Sequence, residues 1–251
     1  MSWYKEFFEK WYLELWLSGE RFKPAYIKKE VAFIKRVLDL PKGAKILDLC
    51  CGHGRHVLPL AKAGYEMTGL DLSHKALSLL KAEANKQKLN VRVVRSDMRR
   101  ILFQNEFDAV INMFTAFGYL ENDKEDLKVL KSVAKTLRPG GRFLIDMSNK
   151  DSILANYQPK SWKKEGKLIL LEERTYNPKT SRNITKTEVV DEKGRSHFFH
   201  ISLRMYSVKE LKAQLKKAGL KVIKSWKDID GHEKREKIPK RIILLAVKKL
   251  R

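Results

Sequence analysis

The sequence predicts an α/β fold with a doubly wound parallel sheet, and two patterns carry this prediction. Short apolar runs alternate with stretches that have helical spacing, which is the pattern of a parallel sheet covered by helices. The apolar run 45–47 leads into a glycine turn that opens a helix. After residue 148 the alternation stops, and three β-rich runs joined by hairpin turns predict an inserted antiparallel β-meander.

The glycine turn runs from Asp48 to Gly54 and reads Asp-Leu-Cys-Cys-Gly-His-Gly. Glycines lack a Cβ and let a ligand approach the backbone, while the N–H groups that open the next helix attract electronegative groups. We predict that this turn, through Gly52 and Gly54, binds the sugar and tail of a nucleoside cofactor. His53 and Arg55 also lie in this turn, where both can be exposed to solvent. For Arg55 the alternative is a contact with the carboxylate of that tail.

Acidic residues end the next two predicted strands. Asp71 closes the apolar run that begins at Tyr65, and its carboxylate can accept hydrogen bonds from both hydroxyls of a ribose. Asp97 ends the third strand, where it can accept from the amino group of an adenine, with the backbone of Met98 beside it. Leu72 directly follows Asp71 and is predicted to stack on the adenine face.

Two positions indicate which nucleoside cofactor fits. A dinucleotide site needs a third glycine under the pyrophosphate, and Val57 occupies that position. Asp48 would repel a pyrophosphate, whereas it suits the cationic amino-acid tail of S-adenosylmethionine. We therefore expect S-adenosylmethionine as the cofactor and S-adenosylhomocysteine as its product, and an NAD-dependent oxidoreductase is the disfavoured alternative.

The order of these motifs resembles the class I S-adenosylmethionine-dependent methyltransferases. A fourth strand ending at Asn112 and a Pro-Gly-Gly turn before a fifth strand complete the series, which covers residues 25–150 strongly and the rest loosely. The resemblance implies methyltransferase activity and a Rossmann-like sheet whose last strand, 241–248, is antiparallel. One departure is Cys50, where the family usually has glycine; Cys50 and Asn112 are included among the predicted cofactor contacts.

The segment 112–120 is predicted to line the place where the methyl group meets its acceptor. It lacks the Pro-Pro-aromatic and Pro-Cys motifs of base-methylating enzymes and resembles the Phe-x-x-x-Gly-Tyr/His-Leu segment of small-molecule N-methyltransferases. By this resemblance Tyr119 is the first candidate for contact with the acceptor. Tyr119 is also a candidate for catalysis, and so is His200 in the predicted meander. Arg204 and Tyr206, at the end of the predicted meander, are further candidates for substrate contact.

The predicted domains are an N-terminal helical lid (1–40), a Rossmann-like methyltransferase core (41–149 and 207–251) and a β-rich substrate cover (150–206). An aromatic stripe at helical spacing occupies residues 3–17. It can pack on the domain, act as a lid over the cofactor, or lie on a membrane surface. The last interpretation is disfavoured because the polar face carries Glu as well as Lys.

Composition limits the remaining choices. The 251 residues are 43% hydrophobic, enough for one large domain with an insertion. The two cysteines are adjacent and no Cys/His cluster has zinc spacing, so neither a disulfide framework nor a metal site is predicted. The net charge of +23 fits either a basic surface that binds nucleic acid or the charged surface of a thermophilic protein, and we favour the second interpretation.

No stretch of sequence reaches the roughly 18 apolar residues of a membrane span, and the mixed charges after Met1 are unlike a secretory signal. We expect a cytoplasmic monomer or homodimer without a membrane partner. The favoured function is methyl transfer to a nitrogen or oxygen of a small molecule, and the runner-up is a tRNA or rRNA methyltransferase. A non-catalytic protein that binds S-adenosylmethionine is a third hypothesis.

Overall fold

Strand pairing divides the β-structure into a main sheet and a smaller one. The computed structural model describes residues 3–16, 19–230 and 238–249. The main sheet contains β1 (Lys45–Leu49), β2 (Glu66–Asp71), β3 (Val91–Arg95), β4 (Phe107–Asn112), β5 (Leu137–Ser148), β10 (Leu220–Trp226) and β11 (Arg241–Lys248). The smaller sheet contains β6 (Lys160–Glu165), β7 (Leu168–Asn177), β8 (Arg182–Val190) and β9 (Ser196–Arg204).

The helices begin near the N-terminus with α1 (Trp3–Glu6) and α2 (Tyr12–Trp16), which a π-helical segment (Phe7–Trp11) joins. A 3₁₀ turn (Glu20–Phe22) follows. The remaining helices are α3 (Pro24–Leu38), α4 (Val57–Lys62), α5 (His74–Lys86), α6 (Asp123–Thr136), α7 (Lys150–Ala155) and α8 (Val208–Lys217). None of the helices in the described part of the chain is long and apolar enough to cross a membrane.

The main sheet has the strand order β10-β11-β5-β4-β1-β2-β3. Strands β1 to β5 pair in parallel, whereas β11 is antiparallel to both of its neighbours. This confirms the predicted doubly wound sheet with an antiparallel last strand. The strand order reverses between β1 and β4, and in open α/β sheets the carboxyl ends at such a point form a crevice for ligands.

Helix capping explains where the helices next to this crevice begin. The side chain of Ser73 accepts a hydrogen bond from the backbone of Ala76 and thereby starts α5 three residues after the end of β2. Asn122 caps α6, and Ser207 forms a capping box with Glu210 at the start of α8.

Alternating side chains of the central strands are buried on both faces of the main sheet. Leu47 and Leu49 of β1 pack in a cluster that includes α6 and α8, while Ile46 packs in a second cluster with α3, α4 and α5. Each fully buried aliphatic side chain of this kind stabilises the fold by about 1.5–3 kcal/mol. The crevice is therefore built on a rigid frame.

The β6–β9 sheet is the inserted meander that the sequence predicts, with one strand more than expected. The sequence of β6, Lys-Ser-Trp-Lys-Lys-Glu, has little apolar alternation because this edge strand pairs only with β7. One face of the meander packs on the N-terminal helices through a small apolar cluster that includes Phe7, Leu15, Leu170 and Val189. The roles of lid for the N-terminal helices and of substrate cover for the meander stay predictions.

Candidate cofactor and acceptor site

A cavity of about 1040 Å³, including its open mouth, lies at the carboxyl ends of the parallel strands. Its walls come from the glycine turn, from the ends of β2 and β3, from the segment after β4 and from the N-terminal helices. The predicted site residues that line it are Asp48, Cys50, Gly52, Arg55, Asp71, Leu72, Asp97, Met98 and Tyr119. The structure thus brings together at one place residues that are up to 71 positions apart in sequence.

Asp71 joins the glycine turn to the start of α5. One carboxylate oxygen accepts from the backbone N–H of Gly52 at 2.8 Å, and the other accepts from that of Ser73 at 2.9 Å. Burial raises the pKa of Asp71, although these hydrogen bonds oppose the rise. A carboxylate oxygen has two lone pairs, so each keeps one to accept a hydroxyl of a ribose.

Asp48 is a buried carboxyl group, and one of its oxygens has no hydrogen-bond partner among the described residues. It is 2% exposed, and its Oδ2 accepts no hydrogen bond from the described residues. The nearest cationic candidate, Nδ1 of His56, is 3.8 Å away. Burial raises the pKa of Asp48 to about 8. An unsatisfied buried acceptor costs about 1–3 kcal/mol, and a cationic ligand group in the cavity would remove this cost. The position fits the ammonium group of S-adenosylmethionine.

The backbone of the turn explains its residue types. Cys50 has a φ of 64°, in the left-handed region where glycine is unstrained, which accounts for the usual glycine at this position. The structure keeps the turn nevertheless, and the thiol contacts the Met98 sulfur at 3.7 Å. Gly54 also has a positive φ, and a Cβ there would lie 2.3 Å from Leu80. Gly54 does not line the cavity. Glycine is therefore needed at this position because a larger residue would clash with α5, and not because a ligand approaches it.

Asn112 supports the site from behind the cavity wall. Its side-chain amide donates to the carbonyl of Leu49 at 2.9 Å, and its Oδ1 is buried without a partner among the described residues. It does not line the cavity. Asn112 therefore positions the end of β1 in this structure, which differs from the predicted direct contact.

Asp97 lines the cavity near the end of β3, and Arg99 holds its carboxylate. Burial raises the pKa of Asp97, but hydrogen bonds from Arg99 outweigh that effect and lower the pKa below its ordinary value. The Arg99 guanidinium also bonds the hydroxyl of Tyr4 at 3.1 Å and the carboxylate of Glu125 at 2.9 Å. This network ties the N-terminal helix to the part of the cavity assigned to the adenine.

Arg55 lines the cavity, but its guanidinium is bound by residues that lie behind the cavity wall. Its Nη1 lies 2.8 Å from Oε2 of Glu30, a fully buried residue of α3, and also donates to the carbonyl of Arg21. The same Glu30 oxygen lies 3.0 Å from Nε2 of His56. The arginine therefore belongs to a buried ion cluster beneath the turn. Its predicted contact with the cofactor carboxylate stays a prediction.

The segment after β4 contains two consecutive residues in the left-handed region, Phe114 (φ 63°) and Thr115 (φ 59°). This conformation costs about 1–2 kcal/mol for a residue with a side chain. Asp146 holds both residues, because its Oδ2 accepts from the N–H of Phe114 and its carbonyl accepts from that of Thr115. Arg241 pairs with Asp146 at 2.6 Å. Backbone strain of this kind clusters at functional sites.

Tyr119 lies deep in the cavity wall, with its ring 5.2 Å from that of Phe8 in an edge-to-face arrangement. Burial raises the pKa of Tyr119 to about 12. The phenol therefore stays protonated at neutral pH. It is suited to hydrogen bonding with an acceptor and poorly suited to act as its base.

All three candidates from the meander region lie outside the cavity wall, as Gly54 and Asn112 do. Tyr206 is fully buried and donates its hydroxyl proton to Asp126 at 2.7 Å. Arg204 is buried between Asp123 and Glu210, where it stabilises the start of α6 and α8. His200 is exposed on the outer face of the meander. Side chains alternate between the two faces of β9, but the sequence does not show which face is directed toward the cavity.

Sequence reasoning named only part of the acceptor side. Phe114 and Thr115 line the cavity and belong to the segment 112–120 that was predicted there. The residues not singled out beforehand are Tyr4, Phe8, Tyr12 and Phe22 of the N-terminal region, which was predicted as a lid only as one of three alternatives. The density of aromatic residues in the first 22 positions was the available signal, because a stripe wider than one packing face leaves rings for a second surface.

The sheet order, the strand-end carboxylates and the glycine turn together define the class I S-adenosylmethionine-dependent methyltransferase architecture. Residues 46–141 match the family model described as a methyltransferase domain. This match over residues 46–141 agrees with the resemblance found in the sequence.

Curated relatives align with the same region. A putative methyltransferase, YqeM, of Bacillus subtilis is 36% identical over 109 residues, which are 43% of this chain and 44% of the relative. An N,N-dimethyltransferase of Streptomyces venezuelae that is named for a dTDP-linked amino sugar is 31% identical over 106 residues, 42% of this chain and 43% of the relative. The matched segment thus spans less than half the length of these relatives.

Solved structures match nearly the whole chain at low sequence identity. The CcbJ methyltransferase of Streptomyces caelestis superposes with a TM-score of 0.78 over 99% of this chain and 97% of that chain, at 20% identity. A methyltransferase of Clostridium acetobutylicum superposes with a TM-score of 0.77 over 90% and 92%, also at 20% identity. These similarities establish that the fold, including the region outside 46–141, is shared.

Proposed function

We propose that this protein transfers the methyl group of S-adenosylmethionine to a nitrogen or oxygen atom of a small molecule and releases S-adenosylhomocysteine. The observation that carries the proposal is Asp71, whose two oxygens bind the glycine turn and α5 and still face the cavity. A carboxylate in this position holds a ribose.

Residues at three strand ends each bind a different part of the cofactor. Asp71 accepts the ribose hydroxyls, Asp48 faces the ammonium of the tail, and Asp97 with Met98 borders the adenine. When bound, S-adenosylmethionine supplies an electrophilic methyl group on a sulfonium. Leu72 and Cys50 add apolar surface beside the adenine and ribose.

Methyl transfer needs an in-line nucleophile and a dry site more than a strong acid. The rings of Phe8, Tyr12, Phe22, Phe114 and Tyr119 line the acceptor half of the cavity and give it an apolar wall. The strained segment at Phe114 and Thr115 is fixed by Asp146, so this wall is pre-organised.

The names of several relatives support a small acceptor. They include the amino-sugar N,N-dimethyltransferase, a cypemycin N-terminal methyltransferase of Streptomyces and a ubiquinone biosynthesis O-methyltransferase of Coxiella burnetii. The net charge of +23 favours the alternative, methylation of tRNA or rRNA. Against it, the N-terminal helix contributes Tyr4, Phe8 and Tyr12 to the cavity wall and narrows the access that a flipped base requires.

A labelled-methyl assay separates the two functions. The protein is incubated with S-adenosylmethionine labelled in its methyl group, total RNA and a small-metabolite extract, and the fractions are then separated by mass. We expect label in the low-mass fraction only. Label at a defined RNA base would favour the alternative, and tight cofactor binding without turnover in any fraction would favour a non-catalytic binding protein.

The affinity for S-adenosylmethionine is expected to rise at least about fivefold between pH 6 and pH 8. Burial raises the pKa of Asp48 to about 8, so the free protein is largely protonated there at pH 6. Binding an ammonium beside it favours the charged form, so binding releases a proton and becomes tighter as the pH rises. Calorimetry across this range measures the slope. Asp48→Asn should bind with a flatter profile, and an unchanged slope in that variant would refute the assignment.

A further inference from the structure

His53 is the polar side chain of the glycine turn that the cofactor contacts leave unused. It lies between Gly52, whose N–H binds Asp71, and Gly54, and it lines the cavity. Its ring centre is 5.8 Å from that of Phe22, with the two planes at 30°. Phe22 in turn meets Phe114 edge-on at 5.8 Å. His53 therefore stands in the aromatic wall of the acceptor half.

The two histidines of the turn have different surroundings. His56 is 3% exposed and bonds Glu30 at 3.0 Å, so it belongs to the ion cluster beneath the turn. The ring nitrogens of His53 make no hydrogen bond to any residue in the described ranges. A nitrogen lone pair of His53 is thus available to a group in the cavity.

The surroundings of His53 favour its neutral form. Burial lowers the pKa of His53, and the charges of Arg55 and His56 lower it further. The cavity is also lined by the titratable side chains of Tyr4, Tyr12, Asp48, Cys50, Cys51, Arg55, His56, Asp71, Asp97 and Tyr119. Asp71 accepts from the backbone of Gly52 and Ser73, and Asp97 accepts from Arg99, so both carboxylates are already held on the cofactor side. Burial raises the pKa values of Asp48, Tyr12 and Tyr119, so none of these three competes as a charged base at neutral pH.

The remaining walls suit a cationic acceptor. Six aromatic rings face the cavity, and ring faces attract ammonium groups. The one arginine among the described lining residues is paired with Glu30, so it does not oppose a cation in the acceptor half. An ammonium is attracted to such a site, but it has no lone pair for attack on a methyl group.

We propose that the acceptor is an amine and that His53 takes the proton from its ammonium form before methyl transfer. This proposal rests on the proposed methyltransferase function. The N–H bond of the ammonium breaks and its proton moves to a ring nitrogen of His53. The freed lone pair then forms the N–CH₃ bond as the C–S bond breaks, which leaves neutral S-adenosylhomocysteine and a methylated ammonium product.

The first test compares two probes that differ only in the reacting group, 2-phenylethylamine and 2-phenylethanol. Both are titrated by calorimetry into the protein loaded with S-adenosylhomocysteine. We expect the amine to bind at least tenfold more tightly than the alcohol. Equal binding, or tighter binding of the alcohol, would overturn the amine assignment, as would a labelled product whose methyl group is on oxygen or carbon.

The second test uses His53→Gln and His53→Asn, with 2-phenylethylamine and the amines of the metabolite extract as acceptors. At pH 7 we expect kcat/KM to fall about 100-fold, which is within the range for loss of a general base. The deficit should shrink to less than about tenfold near pH 10, where the free amine no longer needs a base. Cofactor affinity should stay within about twofold of the unmodified protein.

His74→Asn is the matched control, because this exposed histidine at the start of α5 lies outside the cavity wall. It should keep the full rate at every pH. A deficit in the His53 variants that is the same at pH 7 and pH 10, or no deficit at all, would overturn the role of His53. Failure of methyl transfer in the unmodified protein despite cofactor binding would instead refute the proposed function, so the two failures are distinguishable.

Discussion

Asp71→Ala should weaken S-adenosylmethionine binding by about 100-fold, which corresponds to about 2.7 kcal/mol. The carboxylate offers acceptors to two ribose hydroxyls, and hydrogen bonds to a charged group contribute about 1.5–3 kcal/mol each. The variant also frees the N–H groups of Gly52 and Ser73, so the glycine turn loses its link to α5. Isothermal calorimetry with S-adenosylmethionine and S-adenosylhomocysteine measures the change.

Asp191→Ala is the matched control for this variant. Asp191 likewise accepts backbone hydrogen bonds, from Lys193 and Arg195, but it does so in the β8–β9 hairpin and not at the cavity. Its replacement should leave cofactor affinity unchanged. Affinity within threefold of the original in a folded Asp71→Ala protein would remove the ribose assignment, which is the strongest part of the proposed site.

The cofactor side of the site was predictable because its residues follow strand ends. A carboxylate after an apolar run and glycines before a helix occupy the same edge of any parallel sheet, so Asp48, Asp71 and Asp97 could be placed together from spacing alone. The sequence also identified Cys50 as a departure from the usual glycine. The left-handed backbone at this position explains why glycine is usual there.

The acceptor side was not predictable in the same way, because its residues come from elements whose relative orientation depends on tertiary packing. Tyr206 and Arg204 have residue types typical of a substrate site, yet the turn from β9 into α8 directs both toward Asp126 and Asp123. His53 was visible in the turn, but only the stacking on Phe22, a residue 31 positions earlier, places it in the acceptor wall.

The ion cluster beneath the turn was missed for a related reason. Glu30 lies 25 and 26 positions before its partners Arg55 and His56, in the separate helix α3. A buried carboxylate cannot be distinguished from a surface one by sequence when most helices of the chain carry mixed charges. The cluster nevertheless determines where the residues after the glycine turn lie.

Glu30→Gln should lower the free energy of unfolding by about 3–5 kcal/mol, which is the cost of removing one partner from a buried ion pair. Glu30 is fully buried and 2.8 Å from the guanidinium of Arg55, which is 9% exposed, so the variant leaves a buried positive charge without its partner. Chemical denaturation followed by circular dichroism measures the loss. Cofactor binding should also weaken, because Arg55 and His56 follow the glycine turn directly.

An exposed pair provides the control for Glu30→Gln, since its partners remain solvated after the change. Glu6 lies 3.0 Å from Lys10 on the N-terminal helix, and both side chains are more than half exposed. Glu6→Gln should therefore change the unfolding free energy by less than about 1 kcal/mol. The double variant Glu30→Gln, Arg55→Met should recover part of the loss, because it removes the unpaired charge. A Glu30→Gln protein as stable as the Glu6→Gln protein would show that the cluster does not hold the turn.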